Sequence, residues 1–359
     1  MDRADLEKLQ QVRGVPAVSL LAPTDRRRPG NPEDPIVVRG LLAEAKERLL
    51  ARHEEREVAP LVGQLEAAVR SIDFDHPADA IAVFATRDDA QVLTLPFSVR
   101  ARVVIDETFA TRDLAAGWAR SPRYRVLVLS EKPTRLFNAV ADQLIEVRHG
   151  GFPVVIEGAL GEPLPSGAYP PHASRSNEAH RQFFRHVDRA LGKVSAADPT
   201  PVVVVGLERD LAYYDEVTGH GELIVGRVQG DHHETAPREL GAIVWPAMQD
   251  HLAGRDARAV DELVGAVGAG RAAVGIKPVW EAANQGRGHR LLVEDSYFGA
   301  QYRVVDDDLE PAGDVDAPGV IEDVVDEIVE IVLAKGGEVA FVGPGELHEH
   351  GPIALHLRY

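Results

Sequence analysis

The apolar residues of this chain come in runs no longer than a β-strand, and stretches of helical period lie between them. The runs stand at Ala17 to Ala22, Ala80 to Ala85, Tyr124 to Ser130, Pro201 to Gly206, Leu223 to Val228, His289 to Glu294, Glu338 to Val342 and Ile353 to Arg358. Near-continuous apolar runs of this length suit strands covered on both faces, and the interleaved amphipathic stretches supply the covering helices. The alternation predicts an α/β chain. No run approaches the roughly 20 residues needed to cross a bilayer, so no membrane partner is expected.

At 359 residues the chain exceeds what one hydrophobic core usually serves, which predicts two or three domains. The absence of cysteine excludes disulfide scaffolds, thiolate zinc sites and cysteine nucleophiles. Met1 to Gln10 lacks the apolar core of a secretory signal, and the expected location is the cytoplasm. A formal charge of -18 repels phosphate at long range, so any nucleic-acid contact must be local.

Three modules are expected, at 1–118, 119–270 and 271–359. In the first, the strand Ala17 to Ala22 leads through the loop of Arg26, Arg27, Arg28 and Pro35 to a helix whose buried face carries Leu41, Leu42, Ala45 and Leu49. A second helix, Leu61 to Arg70, precedes strands at Ala80 to Ala85 and Gln91 to Leu95. In the middle module, Arg135 to Val140 and Gln143 to Val147 read as meander partners of Tyr124 to Ser130. A Gly/Pro-rich stretch from His149 to Pro171 follows, of a length that is often functional. The next helix is expected to start at Ser176, capped by Ser174 or Ser176, with Phe183, Phe184, Val187, Ala190 and Leu191 as its buried stripe. Helices at Pro237 to Leu252 and Asp256 to Val267 come later, and Pro246 is expected to kink or divide the first. The last module is read as a helix at Pro278 to Asn284, an acidic loop at Asp306 to Asp316, and a helix at Ile321 to Lys335 stopped by Gly336 and Gly337. Two closing strands then complete an α/β/α sandwich.

The basic helix is the most informative stretch. Arg181, Arg185, Arg189 and Lys193 recur every four residues on the face away from the phenylalanines, with His180 and His186 beside the line and His172 and Arg175 before it. The segment Arg175 to Lys193 carries a local charge of +3 inside an anionic chain. Guanidinium groups form paired hydrogen bonds to phosphate oxygens, so such a stripe can follow a nucleic-acid backbone. A solvated helix face is the plain alternative. Other polar clusters carry less. His232, His233 and Glu234 adjoin in sequence, and adjacent side chains diverge rather than converge on a metal, so no metal site is expected. His348 and His350 share that weakness. Asp306, Asp307 and Asp308 lack EF-hand spacing. No phosphate loop and no nucleophile elbow occurs, so no catalytic residue and no cofactor is assigned.

The order of motifs resembles a known family. The ending Gly351-Pro352-Ile353-Ala354-Leu355-His356-Leu357-Arg358-Tyr359 is similar to the terminal strand of archaeal and eukaryotic peptide-chain release factors and of the rescue factor Pelota. Lys335-Gly336-Gly337-Glu338-Val339 resembles their helix-to-strand step, as do Val274-Gly275-Ile276 and Arg290-Leu291-Leu292-Val293-Glu294. The strand Arg125 to Ser130, the helix Asn177 to Lys193 and the run Pro201 to Gly206 look like that family's central domain. The resemblance covers about residues 120–359 and is fainter before them. It points to a bacterial branch of the superfamily.

The resemblance implies an RNase H-like middle domain and a last domain of the kink-turn-binding ribosomal protein type. It also implies the ribosome as partner, with ribosomal RNA and tRNA in contact near the A site and a translational GTPase as accessory. On that footing Arg175, His180, Arg181, Arg185, Arg189 and Lys193 are the expected RNA-binding residues. One departure weighs against catalysis. Release factors carry Gly-Gly-Gln at the tip of the loop before the basic helix, whereas His149 to Ser176 offers Gly150-Gly151-Phe152 and no glutamine. Phenylalanine cannot hydrogen-bond a water or an ester oxygen, so a non-catalytic ribosome-associated factor of the release, rescue or hibernation type is expected. The second reading is a hydrolase of peptidyl-tRNA or RNA using a replacement residue, with His172 or His180 as base. A third keeps the fold alone and assigns an unrelated protein-binding role.

Overall fold

The computed structural model describes residues 3–14, 16–155, 172–298, 301–305, 308–313, 317, 319–347 and 350–359, with the side chains of 3–5, 7 and 172–177 outside the description. It is a mixed α/β structure built on several sheets. Contacts divide the described chain into two compact units, residues 1–120 with 256–359, and residues 121–255.

In the first unit, β1 (Ala17–Pro23) pairs antiparallel with β2 (Ala80–Ala85) and β4 (Arg102–Asp106), and β3 (Ala90–Leu95) adds to β2, giving the order β3-β2-β1-β4. Side chains alternate across this sheet. Val18, Leu20, Ile81 and Val83 face the helices α2 (Glu33–Arg52) and α3 (Glu55–Arg70). Ala17, Leu21, Ala82 and Phe84 face the helices α1 (Arg3–Gln11) and α4 (Arg112–Arg120). Both faces are therefore dry, which is why the strands read as unbroken apolar runs.

The same unit holds a second sheet in the order β10-β16-β11-β15, made of β10 (Ala272–Val274), β11 (Gly288–Glu294), β15 (Glu338–Val342) and β16 (Ile353–Leu357). Leu291, Val293 and Leu355 pack against the helices α8 (Ile276–Asn284) and α9 (Val324–Ala334), while Leu292 and Ala354 pack against Ala259 and Leu263 on the opposite side. This sheet is thus covered on both faces. Gly336 ends α9 at φ 72°, a left-handed conformation that glycine adopts without a Cβ penalty. Asp323 accepts the backbone N–H of Val325 at 3.3 Å and so caps the start of α9, so the helix begins later than expected. Ile321 belongs instead to the short strand β14 (Val320–Ile321). The expected acidic loop is also in part a strand. Asp308–Pro311 forms β13, paired with β12 (Tyr302–Val305), while residues 306–307 and 314–316 lie outside the described residues.

Ala115, Ala116 and Ala119 of α4 contribute to the core under α8 and α9. Charge accompanies this packing. Arg112, 1% exposed, donates its backbone N–H to Asp326 Oδ1 at 2.8 Å, and its guanidinium reaches Asp323 at 3.5 Å and the ring of Phe298 at 4.4 Å. Arg102 ion-pairs with Asp113 and meets Asp323 at 3.0 Å. Arg48 meets Glu322 at 2.7 Å. The segments before residue 121 and after residue 255 are joined by a buried ionic cluster as well as by apolar contact.

The second unit is a five-stranded sheet in the order β7-β6-β5-β8-β9, from β5 (Arg123–Val128), β6 (Arg135–Val140), β7 (Gln143–Glu146), β8 (Val202–Gly206) and β9 (Ile224–Gln229). β5, β8 and β9 run parallel, and β6 and β7 complete an antiparallel meander. Leu127, Val202 and Val204 face the helices α5 (His172–Ser195) and α6 (Glu208–Val217). Val126, Val128, Val203 and Val205 face Leu240, Val244, Met248 and Leu252 of the helix α7 (Pro237–Gly268). α7 spans Pro237–Gly268 as one helix, which corrects the expected pair of helices. Pro246 removes one backbone donor, but the buried face on either side of it holds the turns in register, and Gly254 costs only about 1 kcal/mol. α5 also departs from expectation. It starts at His172, so Ser174 and Ser176 stand inside it.

Gly241 shows how closely α7 approaches the meander. A Cβ there would lie 1.9 Å from the carbonyl oxygen of Asp142. Backbone cannot move aside cheaply, so Gly241→Ala is expected to destabilise this unit by about 1–3 kcal/mol, read from the shift in its denaturant midpoint. An unchanged midpoint would show the approach to be looser.

Candidate nucleic-acid interface

α5 carries the residues expected to contact RNA. Phe183, Phe184, Val187, Ala190 and Leu191 are buried, which fixes the rotation of the helix and turns the opposite face outward. On that face Arg181 is half-buried and Arg185, Arg189 and Lys193 are exposed. Arg175 and His172 have side chains outside the described residues.

The charges on this face differ in their company. Arg181 donates to Glu216 at 2.7 Å and lies 3.9 Å from Glu178. Arg185 donates to Glu178 at 3.0 Å. Such exposed pairs are weak and screened by solvent, so a phosphate can displace the carboxylate. Arg189 donates to the carbonyl of Arg185 at 3.4 Å and lies 3.4 Å from His186, and among the described residues no carboxylate pairs with Arg189 or Lys193. His186 is held below the usual histidine range, first by burial and then by repulsion from Arg189 and Lys193. The uncompensated positive charge therefore sits on the second half of the helix.

His180 stands apart from this face. Its side chain is 12% exposed, its Nε2 is hydrogen-bonded to Glu131, and its ring stacks on Tyr213 at 5.6 Å. Arg209 reaches the same Glu131 oxygen at 3.4 Å. The partner absent from the sequence pattern is thus a glutamate 49 positions away. No periodicity signals it.

Asp188 falls inside the apolar stripe and is 8% exposed. Thr218 Oγ1 donates to it at 2.7 Å, Gly219 N–H at 3.1 Å and Tyr214 Oη at 3.2 Å, while His220 Nδ1 lies at 3.0 Å. Burial alone would raise its pKa, but the bonds from His220, Thr218 and Gly219 prevail and lower it. The end of α6 is thereby tied to α5. An acidic residue within a helix's apolar stripe was the available signal for this anchor.

The Gly150–Gly151 step is also anchored. Both glycines have positive φ, Phe152 is buried in the core, and a Cβ on Gly150 would lie 2.5 Å from Val194 of α5. This pair therefore packs beneath the second half of α5. The remainder of the Gly/Pro-rich stretch, residues 156–171, lies outside the described residues.

His233 bonds Asp231 at 2.6 Å, and among the described residues no group of three or more histidine, aspartate or glutamate side chains is placed to hold a metal. His348 lies outside the described residues. No helix among them is long and apolar enough to cross a membrane.

Comparison with known proteins gives the following. No curated protein matches. Among solved structures, the archaeal translation termination factor aRF1 is 15% identical at a TM-score of 0.26, over 100% of this chain and 99% of that chain. Pelota of Archaeoglobus fulgidus is 18% identical at a TM-score of 0.33, over 78% of this chain and 79% of that one. An archaeal Pelota described as ribosome-bound with ABCE1 is 13% identical at a TM-score of 0.42, over 99% of this chain and 94% of that one. The family model of bacterial archaeo-eukaryotic release factor family 3 matches residues 123–287, which include β5, the whole of α5 and the sheet beneath it. Over residues 123–287 this chain is therefore similar to bacterial archaeo-eukaryotic release factor family 3.

Proposed function

We propose that the protein is a ribosome-associated translation factor that docks near the A site through the second half of α5. The observation that carries this reading is the exposed pair Arg189 and Lys193, uncompensated within the described residues of a chain of net charge -18 and lying inside the family-matched segment. A local cationic edge on an anionic molecule binds polyanions by short-range pairing and rejects them elsewhere, which suits one specific RNA surface. Three modules at 1–118, 119–270 and 271–359, an RNase H-like middle and a kink-turn-type end belong to the same proposal. So do delivery by a translational GTPase and a cytoplasmic location. Peptide release through Gly-Gly-Gln is not part of it, since no glutamine stands between His149 and Ser176.

The test is co-sedimentation with purified ribosomes across a salt series. Wild-type protein is expected to pellet with them at moderate salt. Arg189→Glu with Lys193→Glu is expected to weaken binding by at least about tenfold and to flatten the salt dependence by about two phosphate contacts. The larger effect is expected here rather than at Arg181, whose partners are Glu216 and Glu178. Wild-type protein absent from ribosomal fractions in both growing and starved cells would overturn the reading.

A further inference from the structure

We propose that Glu131, Arg209 and His180 form a metal-independent site that cleaves the RNA backbone by transphosphorylation. The inference goes beyond the docking reading, which requires no chemistry.

The site lies where the parallel strands end. Glu131 follows β5 and Arg209 opens α6 directly after β8, and in parallel α/β sheets the crevice outside the carboxyl ends of the strands is where ligands bind. Glu131 is 40% exposed and Arg209 59%, so a substrate can reach both, whereas His180 is 12% exposed and lies behind them. The ring of His180 is fixed between its bond to Glu131 and its stack on Tyr213. Arg181 lies 5.2 Å over the Tyr213 ring and brings a second guanidinium to the same place.

Arg209 is tethered but not saturated. Its Nη2 reaches Glu131 at 3.4 Å, and its Nε lies 3.5 Å from Asp210 Oδ1, an oxygen that is buried and makes no hydrogen bond. A guanidinium has five N–H donors, so several remain for a phosphate. Asp210 is 4% exposed, and burial raises its pKa against the pull of Arg209. Asp210 and Glu131 hold the guanidinium, and the donors they leave over are what the acceptor oxygens of a phosphate would engage.

The chemistry closes without metal or cofactor. Glu131 takes the proton of a ribose 2′-hydroxyl, and the 2′-oxygen attacks phosphorus to form the O2′–P bond. The P–O5′ bond breaks, the departing 5′-oxygen takes a proton from solvent water, and Glu131 gives its proton to the hydroxide so formed, which restores the carboxylate. The products are a 2′,3′-cyclic phosphate and a 5′-hydroxyl, and nothing is oxidised or reduced. Arg209 donates to the non-bridging oxygens as their charge grows. His180 acts as a positioning residue that fixes the carboxylate.

The test uses the full chain and a fluorescent DNA oligonucleotide containing one ribonucleotide, in excess EDTA. Cleavage at the ribonucleotide is expected, leaving a cyclic phosphate, and the all-deoxy oligonucleotide is expected to stay intact. Glu131→Gln should lose about 100-fold in rate with an unchanged melting curve. His180→Gln should move the pH–rate profile, which a merely structural role would not do. Failure of the wild type to cleave, equal cleavage by Glu131→Gln, or cleavage of the all-deoxy control would each overturn the proposal. Co-sedimentation of Glu131→Gln with ribosomes, read alongside, reports docking separately, so loss of one reading does not decide the other.

Discussion

Replacing Arg112 with alanine is expected to destabilise the unit formed by residues 1–120 and 256–359 by about 3–5 kcal/mol. Arg112 is among the largest fully buried side chains of the chain. It meets Asp323 at 3.5 Å, the carbonyl of Glu294 at 3.4 Å and the face of Phe298, so its loss removes an ion-pair partner, a donor and a packing surface together. Asp323 keeps Arg102 at 3.0 Å, and Arg102 in turn keeps Asp113. Burial works against the charge of Arg102, but Asp113, Asp323 and Asp326 outweigh it and raise its pKa, so this arginine stays charged in the variant. What destabilises is a carboxylate excess in a dry site. The double variant Arg112→Met with Asp323→Asn should therefore recover part of the loss, because it removes one charge of each sign and asparagine can still cap α9. Urea unfolding in a Trp245→Phe background, followed by Trp118 and Trp280, measures this. A loss below about 1 kcal/mol in Arg112→Ala would show that the cluster contributes little.

The same cluster shows why parts of the fold were hidden in the sequence. Strands covered on both faces were legible as apolar runs, and α2, α3 and α9 as stripes of helical period. α4 was not, because its buried residues include Arg112 and Asp113, which composition assigns to the surface. Their burial depends on Asp323 and Asp326, more than 200 positions away. β4 was missed for a related reason: its apolar run is only Val103 to Ile105, and it opens on Arg102, whose charge is met by Asp113 and Asp323. At the candidate interface, the i, i+4 spacing of the arginines was visible, but their partners were not. Glu216 lies 35 positions from Arg181, and Glu131 lies 49 from His180. Sequence periodicity counts charges on a face; only the tertiary fold decides which of them remain available.

Glu330 should make this unit lose stability as the solution becomes more alkaline, the reverse of ordinary acid denaturation. Its carboxyl is 6% exposed, with one long bond, 3.4 Å, from Thr111. Burial, and then the charge of Glu327, pushes its pKa up from 4.5 to about 8, while Arg13 and the Thr111 bond pull weakly the other way. Asp106 and Glu327 face the same region, and burial raises both; Asp326 behind them is raised further, by burial and then by Asp323 and Glu330. Below pH 4.5 Glu330 is neutral whether the chain is folded or not, so it contributes nothing to the pH dependence there. Between 4.5 and about 8 the unfolded chain releases the proton and the folded chain keeps it. The unfolded state then binds fewer protons, and stability must fall as pH rises. One pKa unit is worth about 1.4 kcal/mol, which sets a ceiling near about 5 kcal/mol and an expected loss of about 2–4 kcal/mol by pH 8. Glu330→Gln keeps the shape and the acceptor for Thr111 but has no proton to lose. Its advantage over wild type should be negligible at pH 4.5, grow through neutrality and be largest at pH 8 and above, in urea titrations at each pH. A variant no more stable than wild type at pH 8 would mean that Glu330 ionises there at little cost, through solvent or a closer approach of Arg13.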